Sequence, residues 1–328
     1  MKNILITGGA GFIGSNFIKH MLATYDYKIV NLDLLTYAGK LNNLNNLDNK
    51  HNYKFIQGNI CDRKLVEKIF LDNKINTLIN FAAESHVDRS IEDPEIFLKT
   101  NVLGTQILLD TAKKFWKINT HDKHCNKYKD KVKFIQISTD EVYGTLGSSG
   151  YFTETTPLAP NSPYSASKAS ADLFVRAYNE TFALPINITR CSNNYGPHQY
   201  PEKLIPLMIN NCLNDLPLPI YGDGQQIRDW LHVYDHCTAI DCVLHYAPSG
   251  QVYNIGGNNE ITNIKLVKTI IHQLGKSESL IKYVNDRPGH DRRYAIDNSK
   301  ITTQLNWIPK YTFNQGLKET IDWYSLHT

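Results

Sequence analysis

Lys2-Asn3-Ile4-Leu5-Ile6-Thr7-Gly8-Gly9-Ala10-Gly11-Phe12-Ile13-Gly14 opens the chain. The β-branched and aliphatic run to Thr7 reads as a short strand, and the amphipathic stretch from Gly14 to about Thr24 reads as a helix. Between them, glycines at 8, 11 and 14 give the spacing G-x-x-G-x-x-G. The first permits a tight turn, the second lets the backbone approach a pyrophosphate, and the third lets the helix pack closely on the strand. A second strand, Lys28 to Leu32, ends in Asp33, nineteen residues past Gly14. A carboxylate there accepts from a ribose 2′-hydroxyl and repels a 2′-phosphate, so the spacing predicts NAD rather than NADP.

The following segments repeat the pattern of strand, loop and helix. Leu34, Leu35 and Thr36 continue the adenosine-side loop, and a third strand at 53–57 leads to Asn59 and Ile60, placed to cradle adenine. A fourth strand ends at Phe81 and gives way to Ala82, Ala83, Glu84, Ser85 and His86, small enough in part for a cofactor to pass close to the backbone. Residues 94–116 read as one long helix, and a mid-helix Gly104, which costs about 1 kcal/mol against alanine, predicts close packing onto it. Runs at 133–137 and 186–190 supply a fifth and a sixth strand. The expected fold is α/β: a Rossmann-type doubly wound parallel sheet with a smaller mixed α/β C-terminal substrate domain. Residues 1–190 are expected to hold the cofactor and 191–328 mainly the substrate, with the chain free to cross between them.

Chemistry concentrates after the fifth strand, in Ser138-Thr139-Asp140-Glu141-Val142-Tyr143-Gly144 and Tyr164-Ser165-Ala166-Ser167-Lys168. The acids fall at the strand end, the edge of an open parallel sheet where ligands bind. Tyr164 and Lys168, four apart, share one helical face behind Ser162-Pro163, a helix start with proline near its first position. An ammonium beside a phenol lowers the tyrosine pKa and makes a general base for an alcohol. The Gly/Ser/Pro-rich stretch 147–163 is long enough to form a lid or substrate rim.

Composition narrows the classes. The 328 residues are 41% hydrophobic and 20% charged, as in a soluble globular protein, and the net charge of +3 gives no argument for nucleic acid. The Lys-rich stretch at 113–133 carries no nucleic-acid motif. Six cysteines without CxxC spacing point to reduced thiols in the cytoplasm. His121, His124 and Cys125 lack a matching second pair, so no metal is expected. No apolar run approaches the ~18 residues of a membrane span.

Beyond Cys191 the elements are short and rich in turns. Ser192-Asn193-Asn194-Tyr195-Gly196-Pro197 offers amides near the nicotinamide end, and Lys203, Arg228, Arg287 and Arg292 are candidates for a diphosphate clamp, because guanidinium matches phosphate bidentately.

From Gly8 through Asp286–Arg293 the sequence resembles the extended short-chain dehydrogenase/reductases and, within them, nucleotide-sugar 4,6-dehydratases of the dTDP-glucose type. The most specific element is residues 138–144. Related epimerases lack the Asp-Glu pair, and sugar-nucleotide decarboxylases and GDP-mannose dehydratases usually carry serine where this chain has Asp140. The resemblance implies conversion of dTDP-glucose or UDP-glucose to the 4-keto-6-deoxy sugar nucleotide, in deoxysugar (rhamnose-type) biosynthesis. Tyr164 and Lys168 are the implied base for the 4-hydroxyl, Thr139 the group that bonds the 4-oxygen, Glu141 the base at C5 and Asp140 the acid for the departing 6-hydroxyl. It implies cofactor contacts at Gly8, Gly11, Phe12, Ile13, Gly14, Asp33, Leu34, Leu35, Thr36, Asn59, Ile60, Phe81, Ala82, Ala83, Ser85, Thr100, Tyr164, Lys168 and Asn194. Substrate contacts are implied at Ser85, Thr139, Asn193, Lys203, Leu204, Pro219, Ile220, Tyr221, Arg228, Asn263, Asp286, Arg287, Pro288, Gly289 and His290. A homodimer through helices near 100–116 and 165–181 follows from the same resemblance. The sequence departs from the family at Asn59, where Asp is usual, at Leu34, where a basic residue is usual, and in a longer insertion at 117–131. A nucleotide-sugar 4-epimerase and a catalytically silent NAD-binding protein are the competing readings, and the base, thymine or uracil, stays open.

Overall fold

A computed structural model describes residues 2–327 other than 46, 48, 49, 120 and 123. Its strands are β1 (Asn3–Thr7), β2 (Lys28–Asp33), β3 (Tyr53–Gln57), β4 (Thr77–Asn80), β5 (Lys133–Thr139) and β6 (Ile186–Cys191), then β7 (Asn193–Tyr195), β8 (Leu218–Tyr221), β9 (Ile227–His232), β10 (Gln251–Ile255), β11 (Glu260–Thr262) and β12 (Ile281–Val284). Seven of them form one parallel sheet in the order β10-β6-β5-β4-β1-β2-β3. The order reverses between β1 and β4, so the chain leaves these two neighbours in opposite directions and opens a crevice at their carboxyl ends.

The unbroken apolar run of β1 is explained by burial on both faces of the sheet. Ile4 and Ile6 pack with Phe17, Ile18, Val233 and Ile240, beneath the helices Phe12–Thr24 and Val233–Tyr246. Leu5 points the other way, toward Val66, Phe70, Leu108, Trp116 and Val175 from the helices Arg63–Asn73, Thr105–Trp116 and Pro163–Phe182. A separate core lies under the C-terminal elements, where Ile205, Met208, Leu218, Trp230, Leu266 and Leu317 meet.

Two features go beyond the sequence reading. The sixth strand does not end the sheet: β10, drawn from the C-terminal half, pairs with β6 in parallel, the kind of crossing that the expected division allowed for. The stretch 94–116 is not one regular helix either. Pro94–Phe97 and Thr105–Trp116 are joined by a π-helical segment, Leu98–Gly104. A Cβ on Gly104 would run into the Ile60 side chain, the close approach its glycine predicted.

Candidate active site

A cleft of about 310 Å³ runs along the carboxyl edge of the sheet, from Asp33 and Asn59 to Tyr164, Asn193 and Lys203. Gly8 leaves β1 at φ +68°, and a Cβ there would sit 2.6 Å from the Ala82 backbone nitrogen, which only glycine avoids. At Gly11 the nearest atom to such a Cβ is the Gly8 carbonyl oxygen, 3.3 Å away. Gly11 also starts the helix Phe12–Thr24 with no side chain capping it. Gly11, Phe12, Ile13 and Gly14 all line the cleft, so the amide-rich, electropositive end of a 13-residue helix faces it.

Asp33 closes the far end. Its two carboxyl oxygens accept from the Ala10 and Leu35 amides, each at 2.8 Å. Burial raises its pKa and those two amides pull it back; each oxygen keeps a further lone pair for a ribose hydroxyl. A naked helix start, a carboxylate at the end of β2 and a cleft that both of them line fit a dinucleotide, and the acid fits NAD.

Of the expected cofactor contacts, Gly8, Gly11, Phe12, Ile13, Gly14, Asp33, Leu34, Thr36, Asn59, Ile60, Phe81, Ala82, Ala83, Ser85, Thr100, Tyr164, Lys168 and Asn194 line the cleft. Leu35 does not: at φ 57°, its side chain packs against the core beneath the sheet, and its amide donates to Asp33. The Asn59 side-chain oxygen is engaged by the Cys61 amide at 2.8 Å. The cleft walls also include Ser138 and Ser192, from stretches the sequence reading singled out, and Cys191, Gln199, Tyr200 and Glu202, which it missed. Cys191 and Ser192 follow directly from the strand-end rule applied to β6.

At the inner end, β5 delivers Thr139, and a short 3₁₀ turn, Asp140–Tyr143, presents the two acids. The Pro163–Phe182 helix starts with a reciprocal Ser162–Ser165 capping box and proline at its first turn, setting Tyr164 on the cleft. Lys168 does not act on Tyr164 in the expected way. Its Nζ donates to the Ile137 carbonyl at 2.7 Å, and burial lowers its own pKa. Tyr164 is raised well above the usual phenol range by burial and by Glu141, Cys191 and Asp140, with a hydrogen bond to Thr139 opposing. The expected lowering is reversed because the phenol is buried among carboxylates.

Asp140 is 1% exposed, and its Oδ2 has no partner among the described residues. Burial, then Glu141 and Asp229, hold its pKa well above the carboxylate range against the pull of Arg228. Glu141 is raised by burial too, but Arg228, Lys203 and Arg287 all oppose it. Glu141 lines the cleft and Asp140 does not. Both adjacent carboxyls are thus raised by burial, Asp140 with two further carboxylates adding to the rise and Glu141 with three cations working against it.

Ser85, Thr139, Asn193 and Lys203 line the same cleft, whereas Leu204, Pro219, Ile220, Tyr221, Arg228, Asn263, Asp286, Arg287, Pro288, Gly289 and His290 lie outside its walls. Several of these cluster together. The Arg287 guanidinium lies 5.3 Å from the Tyr221 ring and pairs with Asp88 at 2.6 Å, and His290 bonds Asp286 at 2.6 Å. Arg228 lies over Tyr294 and donates to the Asp291 carbonyl. Lys203 donates to the Ser85 carbonyl at 2.7 Å. Of the four expected clamp cations, Arg292 stands apart: it is exposed and paired with Asp223 at 2.8 Å.

Asn101 ties the loops together. It accepts from the Glu84 amide at 2.9 Å and donates to the Glu84 carbonyl at 3.0 Å and to Ser167 Oγ at 2.8 Å. The polar run inside the 94–116 stretch therefore anchors the Ala82–Ser85 loop to the helix of Tyr164.

A match to the GDP-mannose 4,6-dehydratase family covers residues 5–320. The chain belongs to that family. A dTDP-glucose 4,6-dehydratase from Xanthomonas campestris pv. campestris (strain B100) is 52% identical over 333 residues, 99% of this chain and 93% of its own. Among solved structures, dTDP-glucose 4,6-dehydratase from Bacillus anthracis str. Ames, in complex with NAD, is 53% identical, with a TM-score of 0.89 over 99% of this chain and 97% of its own. A second dTDP-glucose 4,6-dehydratase, from Streptomyces venezuelae with NAD bound, is 44% identical, with a TM-score of 0.92 over 99% and 97% of the two chains. Within this GDP-mannose 4,6-dehydratase family relationship, the large parallel sheet and its crevice are the shared frame.

Proposed function

We propose that the protein is an NAD-dependent hydro-lyase that converts dTDP-glucose into the 4-keto-6-deoxy sugar nucleotide and water. The observation that carries this reading is the Asp140–Glu141 pair, one acid raised far more firmly than the other, beside Thr139 and Tyr164 at the inner end of the cleft. A 4-epimerase needs a base for one hydroxyl; elimination of water needs a base at C5 and a separate acid at the 6-hydroxyl.

Tyr164 is the base for the sugar 4-hydroxyl, with Thr139 bonding the same oxygen; burial and the nearby carboxylates oppose its phenolate, and the positive charge of the oxidised cofactor, when bound, would favour it. The cofactor supplies, when bound, a ring that takes up a hydride from one carbon and returns it to another. A ketone at C4 makes the C5 hydrogen acidic, and Glu141, eased toward its charged form by Arg228, Lys203 and Arg287, removes it. Asp140 delivers its proton to the 6-hydroxyl, the C6–O bond breaks and water departs. Glu141 then returns its proton to C5. Gly11 to Gly14, Asp33, Asn59, Ala82 and Thr100 hold the dinucleotide; Lys203, Arg228 and Arg287 hold the substrate diphosphate in this reading. Residues 1–190 serve the cofactor and 191–328 mainly the sugar nucleotide, with β10 returned to the large sheet.

The reading of the base as thymine rests on the 52% identical relative. Incubation with dTDP-glucose and, separately, UDP-glucose tests it: loss of one water from dTDP-glucose with the higher kcat/KM is expected. Equal or faster dehydration of UDP-glucose would remove the thymidine assignment, and galactose in place of a keto sugar would remove the dehydratase.

We also propose a cytoplasmic homodimer. Leu98 and Leu103 on the π-helical segment and Leu173 and Phe174 on the adjoining Pro163–Phe182 helix are all exposed, a patch a second copy can cover. A monomer by sedimentation at micromolar concentration would contradict this. Among the described residues no helix is long and apolar enough to cross a membrane, and the six cysteines are free thiols.

A further inference from the structure

We infer that Arg190 and Tyr143 are positioning residues for the elimination half of the reaction, fixing the Asp140–Glu141 turn against the helix that carries Tyr164 and Lys168. This rests on the dehydratase reading above and deepens it.

The two catalytic segments come from different elements, and nothing in their sequence connects them. Arg190, one residue before the cleft-lining Cys191 on β6, does. Its Nε donates to Asp172 Oδ2 at 2.9 Å and its Nη1 to Tyr143 Oη at 2.9 Å. Asp172 lies one helical turn beyond Lys168 and two beyond Tyr164 on the same face. Tyr143 closes the turn that begins at Asp140. Its ring stacks on Phe152 at 5.0 Å between centroids and lies 4.9 Å from the Arg190 guanidinium carbon. The Tyr143 hydroxyl in turn donates to Asn254 Oδ1 on β10 at 2.8 Å, and Asn254 Nδ2 donates to the Phe152 carbonyl at 3.0 Å. One chain of bonds therefore runs from the Tyr164 helix through β6 to the acid turn, and on to β10 and the 147–163 stretch.

Arg190, Tyr143, Asp172 and Asn254 are all buried, and none of them lines the cleft. They cannot touch the substrate there; they act through what they hold. A buried Arg–Asp pair is no better for stability than well-packed apolar groups, so its use here calls for a geometric reason. The planar guanidinium gives one: a single rigid fork that bonds two segments in different directions, which a lysine cannot reproduce. Elimination is the step that depends on the spacing. Tyr164 and Thr139 suffice to place the 4-hydroxyl, but Glu141 and Asp140 must meet C5 and the 6-hydroxyl of the same sugar. A displacement near 1 Å at such a constellation costs about 10²-fold in rate.

Tyr143→Phe keeps the ring and removes both hydroxyl bonds. With dTDP-glucose, kcat for water loss should fall by about 10²-fold, while KM and NAD content stay unchanged. Reduced-nicotinamide absorbance should build up during turnover, because oxidation at C4 continues and elimination lags. Arg190→Lys, which retains charge beside Asp172 but lacks the fork, should behave the same way and carries the test if Y143F does not fold by circular dichroism. A folded Y143F that dehydrates at the wild-type rate overturns the proposal, and so does a loss that falls equally on oxidation and elimination, the mark of a general structural role. A wild-type protein that releases no water overturns the dehydratase reading and this one with it. Wild-type dehydration beside an equally fast variant overturns the positioning role alone.

Discussion

Asp140 combines 1% exposure with an unpartnered carboxyl oxygen among the described residues. Such burial disfavours the ionised form, and Glu141 and Asp229 add to it. In the unfolded chain the same carboxyl titrates at about 3.9. The folded protein therefore binds a proton that the unfolded chain has already lost, and stability falls as pH rises from about 4 through the raised folded value. Asp140→Asn has no proton to retain. It should melt higher than wild type at neutral pH, by ~1–2 °C for each ~1 kcal/mol gained in a chain of this length, with the gap narrowing as pH is lowered toward 4. It should also lose about 10²-fold or more in kcat. A lower Tm at neutral pH would mean that the carboxyl makes stabilising contacts in its ionised form. The placing of the two acids at a strand end beside the Tyr164 helix was legible in the sequence, because five proton-handling side chains crowd thirty-one residues there. Their ranking was only partly so. Lys168 turns to the Ile137 carbonyl, and the phenol of Tyr164 is governed by burial among carboxylates, neither of which a spacing of four residues reveals.

At the scale of elements, the turn from β1 to the Phe12–Thr24 helix decides whether the cleft can form. Gly8 holds φ +68°, and a Cβ would sit 2.6 Å from the Ala82 nitrogen and 2.7 Å from its Cα. Backbone on both sides leaves no side chain to move aside. Gly8→Ala should cost roughly 1–2 kcal/mol for the left-handed conformation alone and more for the overlap. It should be purified with much less NAD than wild type, measured by cofactor release on denaturation; wild-type occupancy would contradict the close approach of β1 and β4. The first six strands, the glycine turn and the capped helix at Pro163 were readable because each is set by neighbours in sequence. The π-helical segment Leu98–Gly104 was not. Apart from Gly104 its residues have ordinary helix propensities, and its reason is tertiary: Gly104 meets Ile60, and Asn101 reaches the Glu84 backbone and Ser167.

Across the whole molecule, the sequence foretold a doubly wound sheet and a second, mixed region, but not how they join. β10 pairs with β6 across more than sixty intervening residues, and a five-residue strand carries no mark of so distant a partner. The same holds for the inner wall of the site, where Arg228 on β9 and Arg287 beyond β12 both bias Glu141. The dinucleotide cleft belongs to the strand ends of one sheet; the chemistry belongs to the place where the second region closes over it. The central claim is that one bound sugar is oxidised at C4, loses water across C5 and C6, and regains the same hydride at C6. It is tested most directly by incubating the protein with dTDP-glucose deuterated at C4, in ordinary water and then in deuterium oxide. The account predicts a 4-keto-6-deoxy product with the C4 label transferred to the C6 methyl group and, in deuterium oxide, one solvent deuterium at C5. A product that keeps its label at C4 with the galactose configuration, or a methyl group that takes its hydrogen only from solvent, would contradict it.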